Sequence, residues 1–233
     1  MTEADTRLAA GPLAATDAAP LRRLALEARA DSGRRGPARI VVIGEFNSGK
    51  TALVNALIGA PVLQTSVIAH TPCVTVVAYA SKRSLSAEMS GRRRMPLAWE
   101  NVEQPPGDGT RRLHVGLPIR MLAGLRVLDT PGLGLGDDAA EARTLRSCRG
   151  ADLVVWCTPA FQAWKNSEAM LWLGLPARVR AHGVLAVTFG DEIPSPDAAR
   201  RLMARLHADA GPHFRDIVLT AKSSVSLQPR PAI

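Results

Sequence analysis

The chain has 233 residues, 46% of them hydrophobic and 21% charged, which is enough for one substantial core and ordinary for a globular protein. Its formal charge of +8 is almost wholly arginine, since only Lys50, Lys82, Lys165 and Lys222 are lysines, a bias that GC-rich coding also produces; aromatics are few and not interleaved with the basic clusters, so nucleic acid is not an expected partner. No signal peptide and no uncharged apolar run of about 18 residues is present, and Cys73, Cys148 and Cys157 lack metal or disulfide spacing, so a cytoplasmic, reducing setting is expected.

Residues 1–20, rich in Ala, Thr, Asp and Pro, read as a disordered N-terminal arm. Leu21, Leu24, Ala25 and Ala28 mark one face of a short helix, and residues 21–38 comprise that helix and a linker broken at Gly33–Pro37. Ile40–Ile43 is a β-branched run suited to a buried parallel strand. It leads into Gly44, Glu45, Phe46, Asn47, Ser48, Gly49, Lys50 and Thr51, a complete G-x-x-x-x-G-K-[ST] phosphate loop. Gly44 and Gly49 allow positive φ, so that backbone N–H groups can converge on phosphate oxygens. Lys50 is placed to bridge the β- and γ-phosphates, and the Thr51 hydroxyl to reach Mg²⁺ at a helix N-terminus. Ala52, Leu53, Ala56 and Leu57 continue at helical spacing until Gly59 and Pro61 stop the helix.

Leu63–Pro72 is irregular and ends near Thr71, the residue type that closes over a γ-phosphate and its metal; Cys73–Ala80 alternates as a strand. Residues 81–120 are weakly patterned: Leu85–Met89 is strand-like, Arg92–Arg94 reads as a solvated edge strand or loop, and Pro105–Gly109 as a turn. Leu125–Leu128 is a second buried strand that ends in Asp129-Thr130-Pro131-Gly132, a carboxylate able to hold a Mg²⁺ water and a glycine N–H open to a γ-phosphate. Further strands are expected at Asp152–Cys157, Val184–Thr188 and Ile217–Leu219, with helices at Lys165–Leu175 and after the Ser195-Pro196-Asp197 cap. Trp156, Trp164 and Trp172 are read as packing residues and the five histidines as structural. This alternation predicts an α/β fold with a mostly parallel central sheet and helices on both faces.

With these motifs in order, the chain resembles the P-loop GTPases of the dynamin family, most specifically bacterial dynamin-like proteins, through Gly44–Lys50, Asn55–Gly59, Leu63–Thr75 and Asp129–Leu133. The resemblance implies a GTPase domain over residues 39–222 followed by a C-terminal tail, 223–233. It implies that Thr188 and Asp191 of Thr188-Phe189-Gly190-Asp191 form the guanine-reading motif, with Phe189 in place of the usual Lys and able to stack on the base. Thr220-Ala221-Lys222 resembles the motif that contacts the guanine carbonyl. Implied metal contacts are Thr51, Thr71 and Asp129 for Mg²⁺, and implied catalytic residues are Lys50, Thr71, Asn47 and Gly132.

Leu133 follows Gly132, so the water-orienting Gln of Ras-like enzymes is absent, as in dynamins. Asn47 resembles the phosphate-loop Asn of potassium-dependent GTPases, and it is either a K⁺ ligand or a loop residue satisfying its own backbone. No stalk-like helix or membrane-binding segment follows Lys222, so any membrane link is expected only through a partner. The expected activity is slow GTP hydrolysis, raised by a homodimer or a hetero-partner across the nucleotide site. A nucleotide-gated interaction module with little turnover is the second reading, and an ATPase the third.

Overall fold

A computed structural model describes residues 18–65, 73–90, 93–102, 109–134 and 136–221. The first described element is helix α1 (Ala19–Asp31), which begins two residues before the sequence pattern places it; Pro20 sits in the first turn, where its missing N–H is no loss. Strand β1 (Ala38–Gly44) runs into the phosphate loop, and α2 (Lys50–Ile58) follows, ended by Gly59 at φ 78°. Then come β2 (Val74–Tyr79), β3 (Ser84–Met89), a short β4 (Arg94–Pro96), β5 (Thr110–Leu117) and β6 (Leu125–Asp129). The second half alternates: α3 (Asp138–Cys148), β7 (Leu153–Pro159), α4 (Asn166–Gly174), α5 (Ala177–Arg180), β8 (Gly183–Thr188), α6 (Pro196–Asp209) and β9 (Ile217–Leu219).

The nine strands among the described residues join one sheet in the order β4-β3-β5-β2-β6-β1-β7-β8-β9. The run β6-β1-β7-β8-β9 is parallel throughout, whereas β2 meets β6 antiparallel and β3 pairs antiparallel with both β4 and β5. β1 shows why the central strands read as unbroken apolar runs. Its Ile40 and Val42 enter the core beneath α1 and α2, while Val41 and Ile43 enter the core beneath α3, α4 and α6. In that second core Trp172 meets Trp156 edge-on at 5.8 Å and stacks on Phe214 at 4.4 Å, so these tryptophans are packing residues.

Two elements carry little sequence signal. α3 buries Thr144 and Ser147 rather than an apolar stripe, and its start is fixed by Asp137, whose side chain accepts from Ala140 N at 2.9 Å. β5 alternates as a half-buried strand does, but its outward positions are Arg112 and His114. The turn expected at Pro105–Gly109 falls almost wholly outside the described residues.

The N-terminal helix is tied to the domain by a buried carboxylate. Asp152 accepts from Arg39 N at 2.8 Å and pairs with Arg29 and Arg34, while Arg29 also donates to Pro37 O at 2.8 Å. A single buried acid with several donors keeps its charge satisfied, so the linker is held against the start of β7. Among the described residues no helix is long and apolar enough to cross a membrane.

Candidate functional site

The phosphate loop lies at the C-terminal end of β1, between the tips of β6 and β7, where ligands sit in open α/β sheets. Gly44 has φ 147°, and a Cβ there would come within 2.6 Å of Cys157 O, so the loop can leave the sheet only through glycine. Asn47 takes φ 58°, the left-handed region that Asn tolerates better than most residues, and Gly49 caps α2 at φ 80°.

Lys50 is buried and its Nζ donates to Glu45 O at 2.7 Å, folding the side chain back over the loop. Burial pulls its pKa below the ordinary lysine value, opposed by Asp129 and other nearby negative groups. Thr51 Oγ1 donates to Asp129 Oδ2 at 2.8 Å, joining the helix start to the end of β6. The second carboxylate oxygen, Asp129 Oδ1, is buried without a hydrogen-bond partner among the described residues. Burial pushes the Asp129 carboxyl up to about 6 although Thr51, Lys50 and the Thr130 backbone all favour its charged form. A cation beside this oxygen would satisfy it. The donor set, one hydroxyl and one carboxylate, is the oxygen chemistry that suits Mg²⁺ with its remaining waters and phosphate oxygens.

The Asp129–Gly132 segment is held close to the phosphate loop. Thr130 Oγ1 donates to Val42 O at 2.8 Å, and Leu133 N to Gly44 O at 3.0 Å. A Cβ on Gly132 would lie 3.1 Å from Phe46 N and Cα, a tight contact that glycine avoids. Pro131, Gly132 and Phe46 thus form one continuous lip.

A pocket opens on the other side of the loop, lined by Gly49, Ala52, Leu53, Thr188, Phe189, Thr220 and Ala221. The tips of β8 and β9 are tied together there: Gly190 N donates to Thr220 O and Thr220 N to Val187 O, each at 2.8 Å. Thr188 is buried, and its hydroxyl lies 2.8 Å from Ser48 O and 3.2 Å from Thr158 O, bracing the loop from below. Phe189 adopts φ 58°, and its ring edge would meet a Cβ on Gly49 at 3.2 Å. Its ring also faces exposed Phe161, with centroids 5.9 Å apart. Asp191 is exposed in the short turn that follows.

The structure therefore brings together Gly44 to Thr51, Asp129, Gly132, Thr188, Asp191, Thr220 and Ala221. Thr71 and Lys222 lie outside the described residues. Sequence reasoning missed the support on the β7 side. Glu45 Oε2 accepts from Lys165 Nζ at 2.6 Å; burial raises the Glu45 pKa, but hydrogen bonds from Lys165 and Ser167 hold it below the usual carboxylate range. Buried Glu168 accepts from Thr158 Oγ1 at 2.8 Å and Lys165 N at 2.9 Å, which fixes the β7–α4 turn beside the loop. The only sequence signal for this was an acid three residues after Lys165 at a helix start.

Comparison with known proteins agrees with this geometry. Over 136 residues the chain is 29% identical to a dynamin-like protein 2 of Campylobacter jejuni, covering 55% of this chain and 22% of that protein. It is also 29% identical over 132 residues to a probable chloroplastic transmembrane GTPase of the FZO-like type from Arabidopsis thaliana, covering 57% of this chain and 13% of the relative. The chain thus spans less than a quarter of the length of these curated relatives.

Among solved structures, a member of an oligomerised bacterial dynamin pair, described as sensing and tethering membranes at long range, superposes with TM-score 0.59 at 17% identity. The match covers 89% of this chain and 34% of that one. Era from Aquifex aeolicus bound to GDP and AlF4⁻ superposes with TM-score 0.50 at 17% identity over 79% of this chain and 51% of Era, which supports the same P-loop GTPase fold. The dynamin family model matches residues 40–173, more than half of the chain, and the protein therefore belongs to the dynamin family of GTPases.

Proposed function

We propose that the chain binds GTP with Mg²⁺ and hydrolyses it to GDP and phosphate, slowly when alone. The observation that carries this reading is the Thr51–Asp129 pair beside Lys50, where a buried carboxylate oxygen lacks a partner and its carboxyl is pushed up to about 6. Bound Mg²⁺ would neutralise charge on the β- and γ-phosphates. Lys50, released from Glu45 O, would reach the phosphoryl oxygens on which charge develops, and the glycine-shaped lip of Gly132 and Phe46 would exclude solvent from that side. Thr71 and Gly132 would contact the γ-phosphate and hold the attacking water through backbone and side chain, then release on hydrolysis.

Asn47 of the loop would ligate K⁺ near the transferring group, completed by a second copy or another partner across the site. Asp191, Thr220, Ala221 and Lys222 would read guanine. Any membrane link would come through a partner. The buried free cysteines support a reducing, cytoplasmic setting.

One observation favours a second reading, in which the chain is a nucleotide-gated interaction module with little turnover. Phe189 occupies the place of a base-covering Lys and packs on exposed Phe161, giving an apolar rim suited to docking. Hydrolysis of GTP measured against protein concentration, in K⁺ and in Na⁺ with ATP as control, separates the two. A specific rate that rises with concentration and requires K⁺ supports the dimerising GTPase. A flat background rate with GTP still bound supports the module, and equal use of ATP removes the guanine assignment.

A further inference from the structure

Among the described residues the outer strands have one core face and one polar, half-buried face. Leu85, Leu113, Val115 and Leu117 of β3 and β5 point into the core beneath α2. On the opposite side the apolar core stops at Val74, Val76 and Leu128 of β2 and β6. There β3 offers Ser84, Ser86 and Glu88, and β5 offers Arg112, His114 and Gly116.

Register extends this polar face both ways. Arg94 of the edge strand stands opposite Glu88, while Arg126 of β6 pairs across from Ala78 of β2 and Arg39 of β1. Helix α3 packs on β1 and β2 on the same side, with Cys148 in the core there, so it rises as a wall beside these strands. The result is a trough whose floor holds Ser84, Ser86 and Gly116 beside the Glu88–His114 pair and whose margins carry arginine. Arg112 and Arg126 stand about 13 Å apart along the strand direction, at roughly 3.3 Å per residue.

The charges are partly compensated: Glu88 Oε2 stands 2.9 Å from His114 Nε2, and the arginines around that pair remain in excess. Glu88 lies 3.9 Å from Arg112, Asp137 lies 3.8 Å from Arg143, and no carboxylate among the described residues pairs with Arg126. The Nε atoms of Arg39 and Arg143 are buried without an acceptor among the described residues. Burial and the positive fields of Arg112 and Arg126 hold Arg39 below its ordinary pKa, as expected where guanidinium groups crowd.

We propose that this trough is a second binding site, separate from the nucleotide site, which takes the sugar-phosphate backbone of a nucleic acid strand. Guanidinium and hydroxyl groups are donors that contact phosphate and sugar without reading sequence. The scarcity of aromatics weighs against base stacking and leaves backbone binding untouched. A protein partner would meet no apolar centre here, because the exposed large hydrophobic residues lie elsewhere: Tyr79 and Met95 alternate onto the other face, and Phe161, Met170 and Leu173 follow β7. A flat bilayer would be held off the floor by α3, which stands about 10 Å proud.

The test is fluorescence anisotropy of labelled oligouridylate and of a labelled DNA duplex with the full chain, titrated with salt. Variants are Arg112→Glu/Arg126→Glu in the trough, Ser86→Glu on its floor, and Arg200→Glu/Arg201→Glu on α6 as an equal-charge control. Binding of a fluorescent GTP analogue reports folding, since none of these residues lines the nucleotide site. The expected result is a salt-dependent affinity for the single strand, the duplex or both, weakened about tenfold or more by each trough variant and little by the control, with a log–log salt slope near −0.7 per phosphate for single strands. Equal loss in the trough and control variants would overturn the proposal in favour of diffuse charge. Trough-dependent binding to phosphatidylserine vesicles without nucleic-acid binding would overturn it in favour of a lipid surface.

Discussion

Strands β1, β7 and β8 are buried on both faces, whereas β3 and β5 are buried on one, and the two halves of the sheet differ in what they do with polar residues. In the covered half most buried polar side chains are held by partners. Asp152 has its arginines, Glu168 its turn, and Thr188 two carbonyls. Two buried oxygens left without a partner among the described residues, Asp129 Oδ1 and Ser48 Oγ, both stand at the phosphate site. In the outer half the face is polar, with Glu88 paired to His114, and Arg94 and Arg126 stand exposed at little cost to the fold. An unsatisfied group therefore carries most information where burial makes it expensive.

That contrast can be broken by mutation. Trp172→Ala, in the covered half, removes a fully buried ring packed on Trp156 and Phe214 and should lower stability by about 3–5 kcal/mol, whereas Arg126→Ala should stay within about 0.5 kcal/mol. Denaturant unfolding of both variants reads the difference, and similar losses would mean that the outer face is packed after all.

Lys50→Ala should leave stability nearly unchanged but slow GTP hydrolysis by roughly 10²–10³-fold, the usual effect of deleting one donor to developing charge. Phosphate release under single-turnover conditions measures this.

Asp129→Asn should stabilise the nucleotide-free protein. The folded carboxyl, near 6, binds its proton more tightly than the unfolded one, so the native state loses stability as pH rises from about 4 to 6 and carries the full cost above that. At about 1.4 kcal/mol per pH unit, the variant should be more stable than the parent by up to roughly 3 kcal/mol at pH 7, with the gap closing as pH falls towards 4. Added Mg²⁺ and GTP should stabilise the parent and much less the variant. Thermal unfolding across that pH range checks both parts, and a variant that is less stable at pH 7 would contradict the buried-charge account.

The smallest effect is expected at Lys165→Ala. Its ammonium pairs with Glu45, but Lys165 is 40% exposed, so stability should change by less than about 1 kcal/mol. A larger loss would mark the pair as a brace of the phosphate loop, visible also as weaker nucleotide binding.

The sequence by itself determined the nucleotide half of the molecule. Gly44, Gly49, Lys50, Thr51 and Asp129–Gly132 answer to local backbone conformation and to phosphate chemistry, and β1 and α2 follow from short-range apolar patterns, so each could be read within a few residues. β5 and α3 were lost because their outward arginines and buried hydroxyls mask the periodicity. Only the tertiary structure decided the strand order, the anchoring of α1 through Asp152, the bracing of the loop by Thr188 and Lys165, and which strands keep a polar face. Those features join residues far apart in the chain, and pairings of that kind are chosen by the energy of the whole packed sheet, which no local stretch encodes.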